Sequence, residues 1–177
     1  MVKLNAKQLR AGESKTLKIK LKKNDIYIIL DNVLDTYNIG SVFRLADAVA
    51  AKKVLLCGGT ATPPNHRIKK ASINTTEVVD WEYFETAKEA VEALKKKVPK
   101  VQVVAIEQSK KSVPFEKFEY KLPIALVVGH ESEGVSKEVL KMADAVVELP
   151  MFGVNISLNV MVSLGIVLYK VVEETLN

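Results

Sequence analysis

Two stretches in the last third of the chain combine residue types and spacing that could do chemistry. Ile124–Val128 runs into Gly129-His130-Glu131-Ser132-Glu133-Gly134. Val146–Pro150 runs into Met151-Phe152-Gly153-Val154-Asn155-Ile156-Ser157-Leu158-Asn159. Each is a short apolar strand that stops at an irregular polar loop, and the second loop opens into a helix. Loops of this kind at the carboxyl ends of neighbouring strands hold a small ligand outside the edge of an open α/β sheet. A third segment, Asn38-x-Gly40-x3-Arg44, starts the first long helix. Gly40 lowers helix propensity there and marks a close backbone approach. Arg44 and Asp47 read either as a surface ion pair of little energetic value or as part of a site.

Several other chemistries are argued against. A dinucleotide fingerprint needs G-x-G-x-x-G after the first strand. That position holds Asp31-Asn32-Val33-Leu34-Asp35-Thr36-Tyr37-Asn38-Ile39-Gly40. The chain has no G-x-x-x-x-G-K-[ST] phosphate loop. Ser132 lies one place off the G-x-S-x-G frame of a nucleophile elbow, and neither His66 nor His130 has an evident orienting partner. Two histidines and one cysteine argue against zinc, so no metal is expected.

The elements that must position these segments alternate between strand and helix. Ile26–Leu30 and Lys53–Cys57 are apolar runs of strand length, and Val101–Ile106, Ile124–Val128 and Ala145–Leu149 continue the series. Asn38–Ala50 has helical spacing with Asn38 as its N-cap. His66–Ser72 and Thr86–Lys97 are further helices, Val78–Phe84 is extended, and Lys110–Leu122 is a charged connector anchored by Phe115, Phe118 and Tyr120. A short helix runs from about Ser136 to Met142. Ser157 would cap the terminal helix, with Asn159 in its first turn. This alternation predicts an α/β fold with a mainly parallel sheet and helices on both faces. The terminal helix is apolar around most of its circumference, so it must be covered on several sides.

At 177 residues the chain is read as a basic N-terminal arm, 1–23, and one domain, 24–177. Charged residues make up 27% and the AVILMFWYC set 48%, which is too apolar for disorder. The net charge of +5 divides into +7 over residues 1–23 and −2 over the rest. A basic arm on a near-neutral body suits a polyanion such as RNA, or is a solvated tail. Arg67, Lys69 and Lys70 form a second basic cluster, either an RNA-backbone contact or a solvated helix face. The single cysteine, Cys57, permits no internal disulfide and reads as a buried strand thiol. The polar, basic start predicts no signal peptide, and Ile156–Val172 is too short and interrupted to span a bilayer. A cytoplasmic protein without membrane contact is expected.

Taken together and in order, the three segments resemble the SPOUT superfamily, and more narrowly the SpoU (TrmH-type) RNA 2′-O-ribose methyltransferases. The first family motif, N-x-G-x3-R-x-x-D-A, stands here as Asn38 to Ala48. The second, G-x-E-x-x-G-[VL]-S, is Gly129 to Ser136. The third is Leu149-Pro150-Met151 followed by Ser157-Leu158-Asn159. The resemblance covers roughly residues 25 to 175. It departs at Ser72–Glu77, where members often have a small-residue G-A stretch, and at His130.

The resemblance implies a C-terminal deep trefoil knot whose bent loops bind S-adenosylmethionine, a homodimer, and methyl transfer to a ribose 2′-hydroxyl of tRNA or rRNA. The implied catalytic residues are Arg44, Asn38, Glu131, Ser157 and Asn159. Cofactor contacts fall on Val128, Gly129, Glu131, Leu149, Met151, Ser157, Leu158 and Asn159, with Gly129, Gly134 and Gly153 making room for the ligand. RNA contacts are expected at Lys18, Lys20, Lys22, Arg67, Lys69 and Lys70. Two rivals are a knotted RNA-binding protein without catalysis and a SPOUT methyltransferase acting on a base.

Overall fold

The computed structural model describes residues 3–10 and 22–176. A short helix, α1 (Ala6–Arg10), precedes the first strand, β1 (Asn24–Asp31). The run Ile26–Leu30 is buried on both faces, because alternate side chains of a strand point to opposite sides. Ile26, Ile28 and Leu30 enter one core, and Tyr27 and Ile29 enter the other.

Helix α2 (Thr36–Ala48) follows, then β2 (Ala51–Cys57), α3 (His66–Ser72), β3 (Trp81–Phe84), α4 (Ala87–Lys97) and β4 (Gln102–Ile106). The chain continues through β5 (Val113–Pro114), β6 (Ile124–Gly129), α5 (Lys137–Met142), β7 (Ala145–Glu148) and α6 (Val160–Thr175). The seven strands form one sheet in the order β3-β2-β1-β6-β4-β7-β5. Every pairing is parallel, so the expectation of a mainly parallel sheet is met in full. Residues of α2, α3 and α6 fill the core on one face, and residues of α4 and α5 fill it on the other.

The connector 110–122 contains β5, a two-residue strand too short to show in any hydrophobic pattern. Its anchors behave as expected. Tyr120 is buried, stands edge-on to Phe118 at 5.1 Å, and donates its hydroxyl to the Phe115 carbonyl at 2.9 Å. Cys57 is buried, and that burial, then the Asp31 and Glu89 carboxylates, push its thiol up to about 12. It is therefore an unreactive core thiol.

The start of α2 corrects the reading of Asn38. The cap is Asp35, whose carboxylate accepts from the Tyr37 N–H at 2.8 Å, while Asn38 lies inside the helix and is buried. Asp35 can take that place because the helix starts at Thr36, two residues earlier than the apolar spacing alone suggests. Gly40 does mark a close approach, but to protein. A Cβ there would lie 2.5 Å from the Ala71 Cβ and 2.9 Å from the Ile68 carbonyl of α3. Overpacking of this kind typically costs about 1–3 kcal/mol. Gly40→Ala should lower the urea midpoint without changing the slope, and an unchanged midpoint would mean that α3 moves aside freely.

Candidate active site

Because all strands run in one direction, their carboxyl ends share one edge, and β1, β6, β4 and β7 bring their exit loops together there. A cavity of about 370 Å³ opens between the loops after β6, β4 and β7. It falls within the roughly 300–1,000 Å³ of small-molecule and cofactor sites. Val128, Gly129, Glu131, Leu149, Met151, Ser157 and Leu158 line it. Of the residues expected to meet a cofactor, only Asn159 is not in the wall.

The loop after β6 is shaped by backbone hydrogen bonds. His130 and Gly134 exchange both N–H···O bonds at 3.1 and 2.9 Å, closing a tight antiparallel bridge. His130 Nδ1 accepts from the N–H groups of Ser132 and Glu133 at 3.0 and 3.2 Å, so the imidazole caps the turn from within. Two carboxylates from neighbouring strands then clamp the far side. Glu107 accepts from the Val135 N–H at 2.9 Å, and the buried Asp31 accepts from the Ser136 N–H at 2.8 Å.

Glu131 reaches out of this loop in the opposite direction. Its carboxylate accepts from the N–H groups of Asp35 and Leu34 at 3.0 and 3.2 Å and from the Asn38 side-chain amide at 3.2 Å. The Asn38 side-chain oxygen in turn accepts from the Asn159 amide at 3.0 Å. One continuous chain, Glu131–Asn38–Asn159, thus joins the three segments that the sequence singles out. Burial pushes the Glu131 carboxyl up, but the hydrogen bonds it accepts from Asp35, Leu34 and Asn38 outweigh that and hold it below the ordinary carboxylate range.

Asn159 also corrects the sequence reading. It is itself the N-cap of α6, with its oxygen accepting from the Met161 and Val162 N–H groups at 2.9 and 3.4 Å. Ser157 lies outside the helix, in the cavity wall, because the bent loop runs two residues further than the apolar pattern implies. The loop is held by Gln108, whose amide donates to the Ile156 carbonyl at 2.6 Å.

Gly129 and Gly134 line the cavity, and close packing within the loop also demands them. A Cβ on Gly129 would collide with the backbone of Gly134 and Val135, and one on Gly134, at φ +70°, would strike the Glu107 carboxylate. Both serve the loop's own closure. Gly153 has open space around it.

Arg44 is exposed and lies outside the cavity wall, making no ion pair with Asp47 among the described residues. The Asp47 carboxyl is instead pushed up by burial, with Lys23 opposing. Lys22, Arg67, Lys69 and Lys70 are exposed, as a backbone contact would require. Lys18 and Lys20 lie outside the described residues. At Ser72–Glu77, Ile73 and Asn74 take positive φ of 52° and 63°, a conformation that glycine reaches without cost.

Sequence reasoning missed Ile106, Glu107, Gln108 and Glu148, which also line the cavity. Glu107 and Gln108 directly follow an apolar strand, the signal used for the other two loops, but no motif drew attention to them. The lining includes Glu107, Glu131 and Glu148 and no lysine or arginine. Carboxylates without a basic partner favour a ligand with positive charge, and Val128, Leu149, Met151 and Leu158 offer apolar surface for a flat ring. Among the described residues, no group of side chains could hold a metal ion, and no helix is long and apolar enough to cross a membrane.

An open parallel sheet with a cationic-ligand cavity at its carboxyl edge, closed by two bent loops, defines a cofactor-binding α/β protein. The sequence profile of the SpoU rRNA Methylase family matches residues 25–169, and the chain belongs to that family. The tRNA (guanosine(18)-2′-O)-methyltransferase of Aquifex aeolicus is 34% identical over 156 residues, covering 86% of this chain and 71% of that protein. An S-adenosylmethionine-bound rRNA methyltransferase from Sinorhizobium meliloti superposes with a TM-score of 0.78 at 29% identity, over 86% of this chain. This chain spans 57% of that structure's length. The TrmH/SpoU tRNA modifying enzyme of A. aeolicus superposes at 0.76 with 30% identity, over 96% of this chain and 83% of that one.

The Glu131 bridge generates a pH prediction. Its folded-state pKa is depressed, so its contribution is present above the ordinary glutamate value, about 4.3, and is lost as pH falls through the folded value. S-adenosylmethionine affinity, followed by calorimetry, should weaken on that acid limb. Glu131→Gln, which cannot accept from both backbone N–H groups, should bind more weakly at neutral pH and lack the limb. An unaltered profile in the variant would mean that the Glu131 carboxylate does not hold the cofactor loop in place.

Proposed function

We propose that this chain transfers the methyl group of S-adenosylmethionine to the 2′-oxygen of a ribose in tRNA or rRNA. It acts in the cytoplasm as a homodimer, with its C-terminal segment threaded as a trefoil knot. The observation that carries this reading is the bridge from Glu131 through Asn38 to Asn159. It ties the acidic, partly apolar cavity to the helix bearing Arg44.

When bound, the cofactor supplies a positively charged sulfur and an electrophilic methyl, suited to the carboxylates and apolar side chains of the wall. The residues of this chain must then align the acceptor and receive its developing charge. As the carbon–oxygen bond forms and the carbon–sulfur bond breaks, the acceptor hydroxyl loses a proton. Arg44 is a poor literal base, since a guanidinium stays charged in proteins. Its planar fork suits holding the adjacent phosphate and stabilising the alkoxide, with the proton leaving to water or a phosphate oxygen. Asn38 and Asn159 fix α2 against the start of α6, and Glu131 fixes the loop to α2. Ser157 lies in the wall, where its hydroxyl can orient the ligand.

The dimer rests on exposed apolar surface beside the site. Phe152, Val154 and Ile156 of the loop are exposed at 95%, 102% and 77%, and Val162, Ile166 and Tyr169 form an exposed stripe on α6. Leu34 and Tyr37, at the start of α2, are exposed too. Surface of this kind marks an interaction site. The basic residues Lys22, Arg67, Lys69 and Lys70 supply sequence-independent attraction to RNA phosphates.

Two outcomes follow. Arg44→Lys keeps the charge but loses the fork, and should lower methyl transfer by about 10²-fold or more while leaving S-adenosylmethionine affinity unchanged. Near-normal turnover would remove the case for bidentate positioning. Light scattering at micromolar concentration should give a dimer, and Ile166→Lys should give a monomer. A monomeric wild-type protein would contradict the interface.

A further inference from the structure

Three carboxylates stand in the wall of the cavity, and two of them are already engaged. Glu107 accepts from the Gln108 and Val135 N–H groups at 2.8 and 2.9 Å, one on each oxygen. Both oxygens of Glu131 are taken by Asp35, Leu34 and Asn38. Glu148, the last residue of β7, differs. It is half-buried, it has no hydrogen bond or ion pair among the described residues, and neither of its oxygens is sealed from solvent.

Glu148 also faces a second space. A smaller cavity, of about 260 Å³, adjoins the first and shares Gln108, Glu148, Leu149, Met151 and Ile156 with it. Glu148 therefore stands in the wall common to both. Asn155 completes the polar side of the smaller cavity, and neither cavity is lined by a lysine or an arginine. The two amides there have donors left over. Gln108 uses one Nε2 hydrogen on the Ile156 carbonyl and keeps the other. Asn155 accepts the Ser157 N–H on its oxygen at 3.3 Å, and its amide nitrogen has no partner among the described residues. An open carboxylate beside two open amide donors is the complement of an α-amino acid, whose ammonium needs an anionic acceptor and whose carboxylate needs N–H donors.

We propose that Glu148 binds the α-ammonium of the methionine end of S-adenosylmethionine, with Gln108 and Asn155 donating to the α-carboxylate. The ammonium suits Glu148 better than the sulfonium does. It brings three N–H donors where the sulfonium brings none, and an open carboxylate gains most from a charge-assisted hydrogen bond. S-adenosylhomocysteine, the demethylated product, keeps the same ammonium. Glu148 therefore sets affinity for the amino-acid end and leaves the distinction between cofactor and product to the rest of the wall. The inference rests on the reading of the larger cavity as the cofactor site, and it adds a residue that lies outside all three sequence motifs.

The test is calorimetric titration of the full-length protein with S-adenosylmethionine, S-adenosylhomocysteine and 5′-methylthioadenosine, which lacks the amino-acid end. Glu148→Gln keeps the size of the side chain and removes its charge. It should weaken the first two ligands alike, by roughly tenfold. It should bind 5′-methylthioadenosine as the wild type does, which also shows that its cavity is intact. A loss confined to S-adenosylmethionine would put the sulfonium against Glu148 and overturn the assignment. No loss for either ligand, or an equal loss for all three, would overturn it too. In the wild-type protein, S-adenosylhomocysteine stripped of its α-amino group should bind more weakly than the parent compound, again by roughly tenfold or more. Equal affinity there overturns the assignment without recourse to a variant. A wild-type protein that binds none of these compounds would sink the cofactor reading itself, a result distinct from normal wild-type binding that Glu148→Gln leaves unchanged.

Discussion

The site depends on one carboxylate satisfying backbone donors that would otherwise have no partner. Glu131 accepts from two successive N–H groups at the entrance to α2 and from the Asn38 amide within it. The first N–H groups of a helix have no partner inside it, so this entrance is a natural anion seat. Asp35 caps the helix from one side and Glu131 steadies its approach from the other. Remove the carboxylate, and the loop after β6 loses its tie to the helix that carries Arg44. The amides of Asn38 and Asn159 extend the same tie to α6. An amide can donate to one neighbour and accept from another, which an apolar or singly charged side chain cannot do.

The same logic recurs around the loop. Asp31 and Glu107, at the ends of β1 and β4, each take a backbone N–H of residues 135–136. Parallel strands ending at one edge place such side chains side by side, and Glu107, Glu131 and Glu148 gather where a cationic ligand would sit. Gly129 and Gly134 let the loop fold flat enough for this to happen.

Much of the fold was legible because its strands are doubly buried and its helices amphipathic, patterns set by the periods of the backbone. The Ile26–Leu30 run and the inward face of α4 are examples. What escaped was set by single hydrogen bonds. Asp35 rather than Asn38 caps α2, and Asn159 rather than Ser157 caps α6, because either polar residue could serve and only the tertiary partner decides. β5 is too short to carry a period. The motif residues of the site were legible through resemblance, and the cavity holds seven of the eight expected to meet a cofactor. Glu107 and Gln108 were not, since nothing local distinguishes them from surface residues after a strand.

The most direct measurement uses S-adenosylmethionine labelled in its methyl group, unmodified tRNA and rRNA transcripts, and the purified protein. After digestion, the labelled nucleosides are identified by mass spectrometry. The account predicts label on the sugar, seen as an alkali-resistant dinucleotide and a 2′-O-methyl nucleoside. Label on a base, or none on any transcript while the protein binds RNA normally, would contradict it.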